Sequence, residues 1–351
     1  MQHLRTASPR PQLAPPATDA AKPAIDPSLI DPSLLDVSVC IANWNCRELL
    51  RNCLKSLLEQ SQGVRLEVIV VDNASTDGAA DMVAREFPHA RLIRNSVNRG
   101  YAAANNQAAR QARGSYLLFL NNDTVVPSGT LAELVEFLDA NPEVIAVGPQ
   151  LVGTDGRPQT SYRRQPTVAA FLHRTWLFRL TGLMRGSYRA YRRRTSAPLW
   201  PCEVETLLGA ALLIARQRFE RLGGWDEGFV FGGEDLDFSL RARQHGVLVH
   251  DPRVTITHVG RVSTKANIAF ASPSILAGFA RYFRKAGATR RELLLYKLAV
   301  TLDAPMQIGV KSVQYLWRRL CGRRHDAAKS WNDLKGAAAF IGRGLAAFWR
   351  A

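Results

Sequence analysis

Residues 37–78, VSVCIANWNCRELLRNCLKSLLEQSQGVRLEVIVVDNASTDG, read as strand, helix, strand and a polar strand end. Val37 to Asn43 and Leu66 to Val71 are short apolar runs of strand length. Between them, Leu49, Leu50, Cys53, Leu54, Leu57 and Leu58 recur on one face of a helix over Cys46 to Ser61. The same alternation continues outward. A helix capped by Ser75 or Thr76 runs to about Phe87, followed by strand Arg91 to Arg94, helix Tyr101 to Ala112 and strand Tyr116 to Leu120. Helix Gly129 to Asn141 and strand Val144 to Val147 complete the series. This pattern predicts an α/β fold, a mostly parallel sheet covered by helices on both faces, with ligands at the carboxyl ends of the strands.

The second half is less regular. Thr206 to Ala215 reads as a buried strand, Arg216 to Leu222 as a short helix, Glu234 to His245 as a helix and Val247 to Val259 as one or two strands. From Ser272 onward the pattern is helical, with breaks expected at Pro305 and the glycines. At 351 residues the chain is one large domain or two ordinary ones. Residues 1–35 hold seven prolines and no apolar core of signal-peptide length, so they read as a disordered tail. Residues 36–270 form the α/β domain with an insertion at 156–202, and residues 271–351 a helical extension. The five cysteines include no C-x-x-C pair, which points away from a disulfide framework or zinc knuckle and toward a reducing cytosol. The stretch Leu293 to Trp317 is interrupted by Lys297, Asp303, Pro305 and Lys311, and reads as lying on a bilayer rather than crossing it.

Three strands end in polar clusters: Asn43-Trp44-Asn45, Asp72 to Asp77, and Asn121-Asn122-Asp123-Thr124. A carboxylate there can accept hydrogen bonds from a sugar or base, and another can hold a divalent cation that bridges phosphates. Any one cluster is equally well a set of helix caps and turns. Three such clusters, at the ends of the first, second and fourth strands, read as a site.

The stretches VSVCIANWN (37–45), VIVVDNASTDG (68–78), NRGYAAANN (98–106), YLLFLNNDT (116–124) and GGWDEGFVFGGEDLDFSLRARQHG (223–246) together resemble the family 2 glycosyltransferases of GT-A fold. The resemblance is strongest to the rhamnosyltransferase-like branch that builds bacterial surface polysaccharides, and it extends to about residue 265. It implies that Asp72 contacts the base of a nucleotide-sugar, with Asn43, Asn45 and Asn122 in the same pocket. Asn98, Gly100 and Asn105 would border the nucleotide and ribose, Gly100 allowing close backbone approach. Asp123 would be the metal carboxylate of the family's D-x-D motif, whose first position here is Asn121. The implied cofactor is Mg²⁺ or Mn²⁺.

The Glu234-Asp235 pair also has a physical case. Inverting displacement needs a base for the acceptor hydroxyl, and a carboxylate at a helix N-terminus is held ionised by backbone N–H groups. By resemblance Asp235 is that base and Glu234 orients the acceptor, with Gly232-Gly233 a flexible entry; Asp237 reads as offsetting the helix dipole. His258 resembles one that meets the metal or diphosphate, and a structural histidine is the other reading. Arg261, Ser263 and Thr264 resemble a diphosphate flap. Trp225 is either an acceptor-stacking aromatic or a core anchor. The implied reaction is non-processive transfer, for neither the Q-x-x-R-W motif nor several membrane spans of the processive synthases is present. The implied donor is dTDP-rhamnose and the acceptor a lipid-linked or polysaccharide glycan.

The chain carries 46 Lys and Arg against 30 acids, a net charge of +16. Ten arginines and no acid lie between Gly156 and Cys202, and fifteen Lys and Arg oppose four acids from Ala271 to the end. The rest is net acidic. Both basic regions interleave cations with aromatic and aliphatic residues, as an interfacial helix on an anionic leaflet requires. The expected location is therefore the cytoplasmic face of the inner membrane. A nucleic-acid-binding protein would carry a helix-turn-helix, RRM or zinc-finger signature, and a nucleotidyltransferase a glycine-rich phosphate loop after the first strand; the sequence shows neither.

Overall fold

A computed structural model describes residues 36–59, 64–192, 198–260 and 267–351. The expected tail at 1–35 and the residues Arg261, Ser263 and Thr264 lie outside them. The first half runs β1 (Val37–Asn43), α1 (Arg47–Leu58), β2 (Leu66–Asn73), α2 (Ala79–Glu86), β3 (Arg91–Asn95), α3 (Gly100–Gln111), β4 (Tyr116–Leu120), β5 (Thr124–Val125), α4 (Thr130–Ala140) and β6 (Val144–Val152). After it come β7 (Tyr162–Arg163), α5 (Val168–Leu172), α6 (Trp176–Thr181), α7 (Arg185–Arg192), β8 (Cys202–Val204), β9 (Thr206–Leu207), β10 (Ala211–Ala215), α8 (Arg216–Arg221), α9 (Glu234–Ala242) and β11 (Val247–His258). The C-terminal helices are α10 (Ile268–Lys285), α11 (Arg290–Leu320), α12 (Arg324–Ala339), a π-helical turn (Phe340–Gly344) and α13 (Leu345–Arg350).

The main sheet has the order β3-β2-β1-β4-β10-β6-β11-β5, with β8 paired to β11. Strands β3, β2, β1 and β4 are parallel, as the alternation predicts, and β6 and β11 are parallel to each other. The break in that pattern is β10, which inserts antiparallel between β4 and β6. Period-two alternation sends β4 residues Leu118 and Leu120 into the core under α1, α2 and α4, and Leu117 and Phe119 into the opposite core with α3 and Trp225. Both faces of the strand are thus buried, so its run of five apolar residues carries no polar position.

The α2 cap differs from the expectation. Gly78, in the left-handed region at φ 77°, precedes the helix, and Ser75 is instead tied to Asn43 and Asn45. A third cluster joins Phe171 and Leu172 of the basic insertion to Phe229, Leu236, Phe283, Tyr296, Phe340 and Phe348. The insertion and the C-terminal helices therefore share one core with α9, and the expected boundary at residue 270 falls inside α10.

Pro305 does not end α11, which runs 31 residues, about 46 Å at 1.5 Å per residue. Proline leaves the carbonyl four residues earlier without its donor and strains the turn. Contacts along one side hold the helix together. Lys297 Nζ donates to the Trp349 carbonyl at 2.8 Å, the Trp176 amide donates to Asp303 at 2.5 Å, and Lys311 pairs with Asp333 at 2.8 Å. The charges that interrupt the hydropathy pattern thus face protein. The opposite side exposes Leu294, Leu298, Leu302, Met306, Val310, Val313, Trp317 and Leu320, a stripe at helical spacing. Among the described residues α11 is the one helix long and apolar enough to cross a membrane, by length and composition alone.

Candidate active site

The ends of β1, β2 and β4 lie side by side, since β1 pairs in register with both neighbours and Asn43 stands opposite Asp72. Asn43 Nδ2 donates to Asp72 Oδ1 at 2.9 Å, and Asn122 Nδ2 donates to Asn43 Oδ1 at 2.7 Å. The Ser75 amide donates to Asp72 Oδ2 at 3.0 Å. Asn43, Asp72, Asn122 and Asp123 are all buried. Asn45 adopts φ 52°, which asparagine tolerates better than most residues, and its Oδ1 accepts from the Thr76 amide at 2.8 Å. That side chain joins the two loops, so Asn45 shapes the pocket wall.

Asn98 caps the next element, its Oδ1 accepting from the Gly100 amide at 2.9 Å. Gly100 has φ 85°, and a Cβ there would lie 2.2 Å from the Val230 carbonyl oxygen. The close approach that requires glycine is thus made by the loop before α9. Asn105 is buried, donates to the Tyr101 carbonyl at 3.1 Å and leaves Oδ1 without a partner among the described residues. Its neighbour Asn106 clamps the turn ahead of α9, accepting from the Trp225 amide at 3.0 Å and donating to the Trp225 carbonyl at 2.8 Å. Trp225 is 1% exposed and packs edge-on to Phe119. It is a core anchor and cannot stack on an acceptor.

Asp123 and His258 meet at the edge of this cluster. His258 closes β11, where it pairs with Thr124 of β5. Its Nε2 lies 3.4 Å from Asp123 Oδ1 and 3.4 Å from Asn121 Nδ2. Gln159 fixes the ring: its amide donates to the His258 carbonyl at 2.8 Å, so its Oε1 accepts from Nδ1 at 2.9 Å. With Nδ1 the donor, the Nε2 lone pair faces a carboxylate oxygen and, at the same distance, the Asn121 Nδ2 donor. Two acceptors turned toward each other fit a cation. Two neighbouring ligands of one six-coordinate ion with bonds of about 2.1 Å sit about 3 Å apart, near the separation found. The Gly260 amide donates to Asp123 Oδ2 at 3.1 Å and fixes the other oxygen. Gln159 carries no local sequence signal, because it reaches His258 across 99 positions.

Glu234 and Asp235 open α9, both half-buried. Gly232 and Gly233 precede them at φ 85° and 100°, with Ile275 packed on the first and Phe229 on the second. The entry is a fitted turn rather than a flexible one. Burial first, and then the charge of Asp235, raises the Glu234 pKa well above the usual carboxylate value, and Glu234 Oε2 has no hydrogen-bond partner among the described residues. A carboxyl with a raised pKa at this position can keep its proton and donate a hydrogen bond. Burial, and then the charges of Glu234 and Asp235, also holds the Tyr101 hydroxyl well above its usual pKa, so α3 begins within electrostatic reach of the pair. Asp237, by contrast, is fully buried and pairs with Arg241 at 2.9 Å and with Lys285. It ties α9 to α10.

The family described as Glycosyl transferase family 2 matches residues 38–198, and the one described as N-terminal domain of galactosyltransferase matches residues 189–265. The O-antigen biosynthesis protein RfbC of Myxococcus xanthus is 32% identical over 221 residues, 61% of this chain and 16% of that protein. An N-acetylglucosaminyl-diphospho-decaprenol L-rhamnosyltransferase of Mycobacterium tuberculosis is 28% identical over 55% of this chain and 66% of its own length. The chain thus spans less than two thirds of either relative. Among solved structures, GalNAc-T7 with UDP, GalNAc and Mn²⁺ aligns over 71% of this chain and 48% of its own, with TM-score 0.51 and 20% identity. The mannosyltransferase PcManGT from Pyrobaculum calidifontis, in complex with GDP-Man and Mn²⁺, aligns over 88% of this chain and 87% of its own, with TM-score 0.51 and 22% identity. The fold is GT-A. Residues 38–198 carry a glycosyltransferase family 2 domain, and relatives of the cell-surface polysaccharide branch stand among the chain's matches.

Proposed function

We propose that this protein transfers one sugar per encounter from a nucleoside-diphosphate sugar to a lipid-linked glycan at the cytoplasmic face of a bacterial membrane, with inversion at the anomeric carbon. The observation that carries the reading is the Asp123–His258 pair, two acceptors facing across 3.4 Å beside the buried Asn43–Asp72–Asn122 network. Asp72 keeps a lone pair on each oxygen for a base or ribose donor, and the family resemblance assigns Asn98, Gly100 and Asn105 to the nucleotide and ribose. Asp123 and His258 are the residues that hold a divalent cation, which when bound neutralises charge developing on the leaving diphosphate. A carboxylate suits Mg²⁺ and Mn²⁺ alike, and the imidazole nitrogen favours Mn²⁺.

Asp235 takes the proton from the acceptor hydroxyl as its oxygen attacks. Glu234, whose pKa is raised by burial and then by Asp235, donates a hydrogen bond to the acceptor. L-rhamnose from a dTDP donor is the leading donor, on the strength of the mycobacterial relative's printed activity.

The membrane is met by the side of α11 that faces away from the protein, together with α6. Leu177, Leu180, Leu183 and Met184 are exposed beside Arg179, Arg185 and Arg189, and the Trp176–Asp303 hydrogen bond joins α6 to α11. Each Lys or Arg near an anionic surface contributes about 1 kcal/mol. A spanning α11 would drag its polar partners Lys297, Asp303 and Lys311 into hydrocarbon, so the helix lies on the surface. The test of the activity is transfer from a panel of UDP-, dTDP- and GDP-sugars with Mg²⁺ or Mn²⁺. Retention of full activity by Asp235→Asn overturns the assignment of the base.

A further inference from the structure

A cavity of about 750 Å³ lies between α10, the C-terminal turns and the loop before α9. Its lining includes Lys335, Arg343 and Arg350 and no acidic residue. Arg281 also lines it but is occupied, pairing with Asp226 at 2.9 Å. The other three cations have no hydrogen-bond or ion-pair partner among the described residues. The lining from α10 is largely apolar, with Ile268, Phe270, Pro273 and Ala277, and Ala347 lies between Arg343 and Arg350 on the C-terminal turns. Three exposed cations beside an apolar wall suit an amphiphilic anion, one that places phosphate oxygens on the cations and hydrocarbon on the wall.

The cavity's position narrows the choice. Phe270 packs edge-on to Trp44 at the end of β1, with ring centroids 5.4 Å apart, and to Phe231, just ahead of Glu234, at 6.4 Å. One wall therefore touches the donor-side loop and the base-side loop at once. Val230, whose carbonyl meets Gly100, lines the cavity itself. On the far side, α13 forms a wall and also packs on α11, Trp349 Nε1 donating to Thr301 Oγ1 at 3.1 Å. The exposed apolar stripe of α11 is thus one helix away. Arg343 and Gly344 enter the lining from the π-helical turn, a wide turn that recurs at functional sites.

We propose that this cavity binds the phosphate or diphosphate of a prenyl-type acceptor, with Lys335, Arg343 and Arg350 on its oxygens and the Ile268–Phe270–Pro273 wall on the first part of its chain. The proposal rests on the transferase reading and deepens it: the cavity presents the acceptor to Asp235 from the membrane side.

The test is calorimetric titration of the full chain with farnesyl diphosphate, inorganic pyrophosphate and farnesol, each with the donor site saturated by whichever of UDP, dTDP or GDP binds with Mn²⁺. Farnesyl diphosphate is expected to bind more tightly than pyrophosphate, and farnesol not at all. The triple variant Lys335→Gln, Arg343→Gln, Arg350→Gln is expected to weaken farnesyl diphosphate at least tenfold while leaving nucleotide affinity unchanged; Arg189→Gln, on α7, is expected to change neither. Ala347→Trp, which fills the cavity and keeps its cations, is expected to weaken the same ligand and guards against a misfolded triple variant. Equal affinity in the wild type and both cavity variants overturns the site. Farnesol binding as well as its diphosphate, or pyrophosphate as well as farnesyl diphosphate, overturns the amphiphilic ligand. Failure of the wild type to bind any nucleotide overturns the transferase reading instead, and in that case titration without nucleotide still decides the cavity.

Discussion

His258 Nε2 faces Asp123 Oδ1 across 3.4 Å because Gln159 holds the opposite ring nitrogen. Groups that orient a ligating histidine typically change metal affinity by about 10- to 100-fold when removed. Gln159→Leu is therefore expected to weaken Mn²⁺ binding by that amount with little loss of thermal stability, measured by Mn²⁺ titration in an electron paramagnetic resonance experiment with saturating nucleotide. Unchanged Mn²⁺ affinity would mean that His258 does not contact the ion.

Asp235→Asn keeps the volume and removes the proposed base. Positioned general bases contribute about 10²- to 10⁴-fold, so kcat is expected to fall within that range while nucleotide affinity is unchanged. Steady-state transfer together with nucleotide titration separates the two quantities. A variant that instead loses nucleotide binding places Asp235 on the donor.

Glu234 gives a pH dependence whose sign follows from its raised pKa. Unfolded, the carboxyl titrates near about 4.3; folded, it is pushed up to about 8 by burial and then by Asp235. The stability tied to its protonated form is complete below the first value and is lost as pH rises through the second. Glu234→Gln has no such loss. Its melting temperature relative to wild type is expected to rise from pH 5 to about pH 8 and to level off above that, read by circular dichroism. A constant difference would place the folded pKa in the ordinary range.

The polar strand-end cluster was legible because each of its residues follows an apolar run, so a strand end and a polar side chain coincide in the sequence at Asn43, Asp72 and Asn122–Asp123. The contacts across the fold were not. Gln159 meets His258 and Phe270 meets Trp44 only after the insertion and α10 have packed onto the sheet. Nor does local pattern reveal that Lys297, Asp303 and Lys311 face protein, since hydropathy counts charges without knowing which side of a helix they occupy. Gly100 and Trp225 were visible as motif residues, yet their neighbours Val230 and Phe119 belong to other elements and decide their roles.

Gly100→Ala follows from one of those neighbours. The left-handed backbone alone disfavours alanine by about 1–3 kcal/mol. The overlap with the Val230 carbonyl, 2.2 Å from the new Cβ, adds a displacement of the loop that enters α9. A lower melting temperature and a fall in kcat larger than the rise in donor KM are both expected, because Val230 lies upstream of Asp235 rather than on the donor. Thermal unfolding and donor saturation curves check the two effects.

The orientation of α11 supplies the last prediction. Leu302 and Val313 are 71% and 67% exposed on the apolar stripe of α11. If that side enters the headgroup boundary, each side chain contributes about 1.5 kcal/mol through lost water contact, so Leu302→Glu with Val313→Glu lowers partitioning roughly 100-fold. The change lies far from the residues that hold donor or base, so transfer to a water-soluble acceptor analogue is expected to be unchanged. Flotation with phosphatidylcholine vesicles, with and without phosphatidylglycerol, reads the partitioning, and the wild type is expected to float best with the anionic lipid because α6 and α7 bring arginines to the same surface. Equal flotation of variant and wild type would remove α11 from the membrane-facing side. Loss of the anionic preference alone, produced by Arg185→Gln with Arg189→Gln, would instead separate the electrostatic contribution of α7 from the apolar contribution of α11.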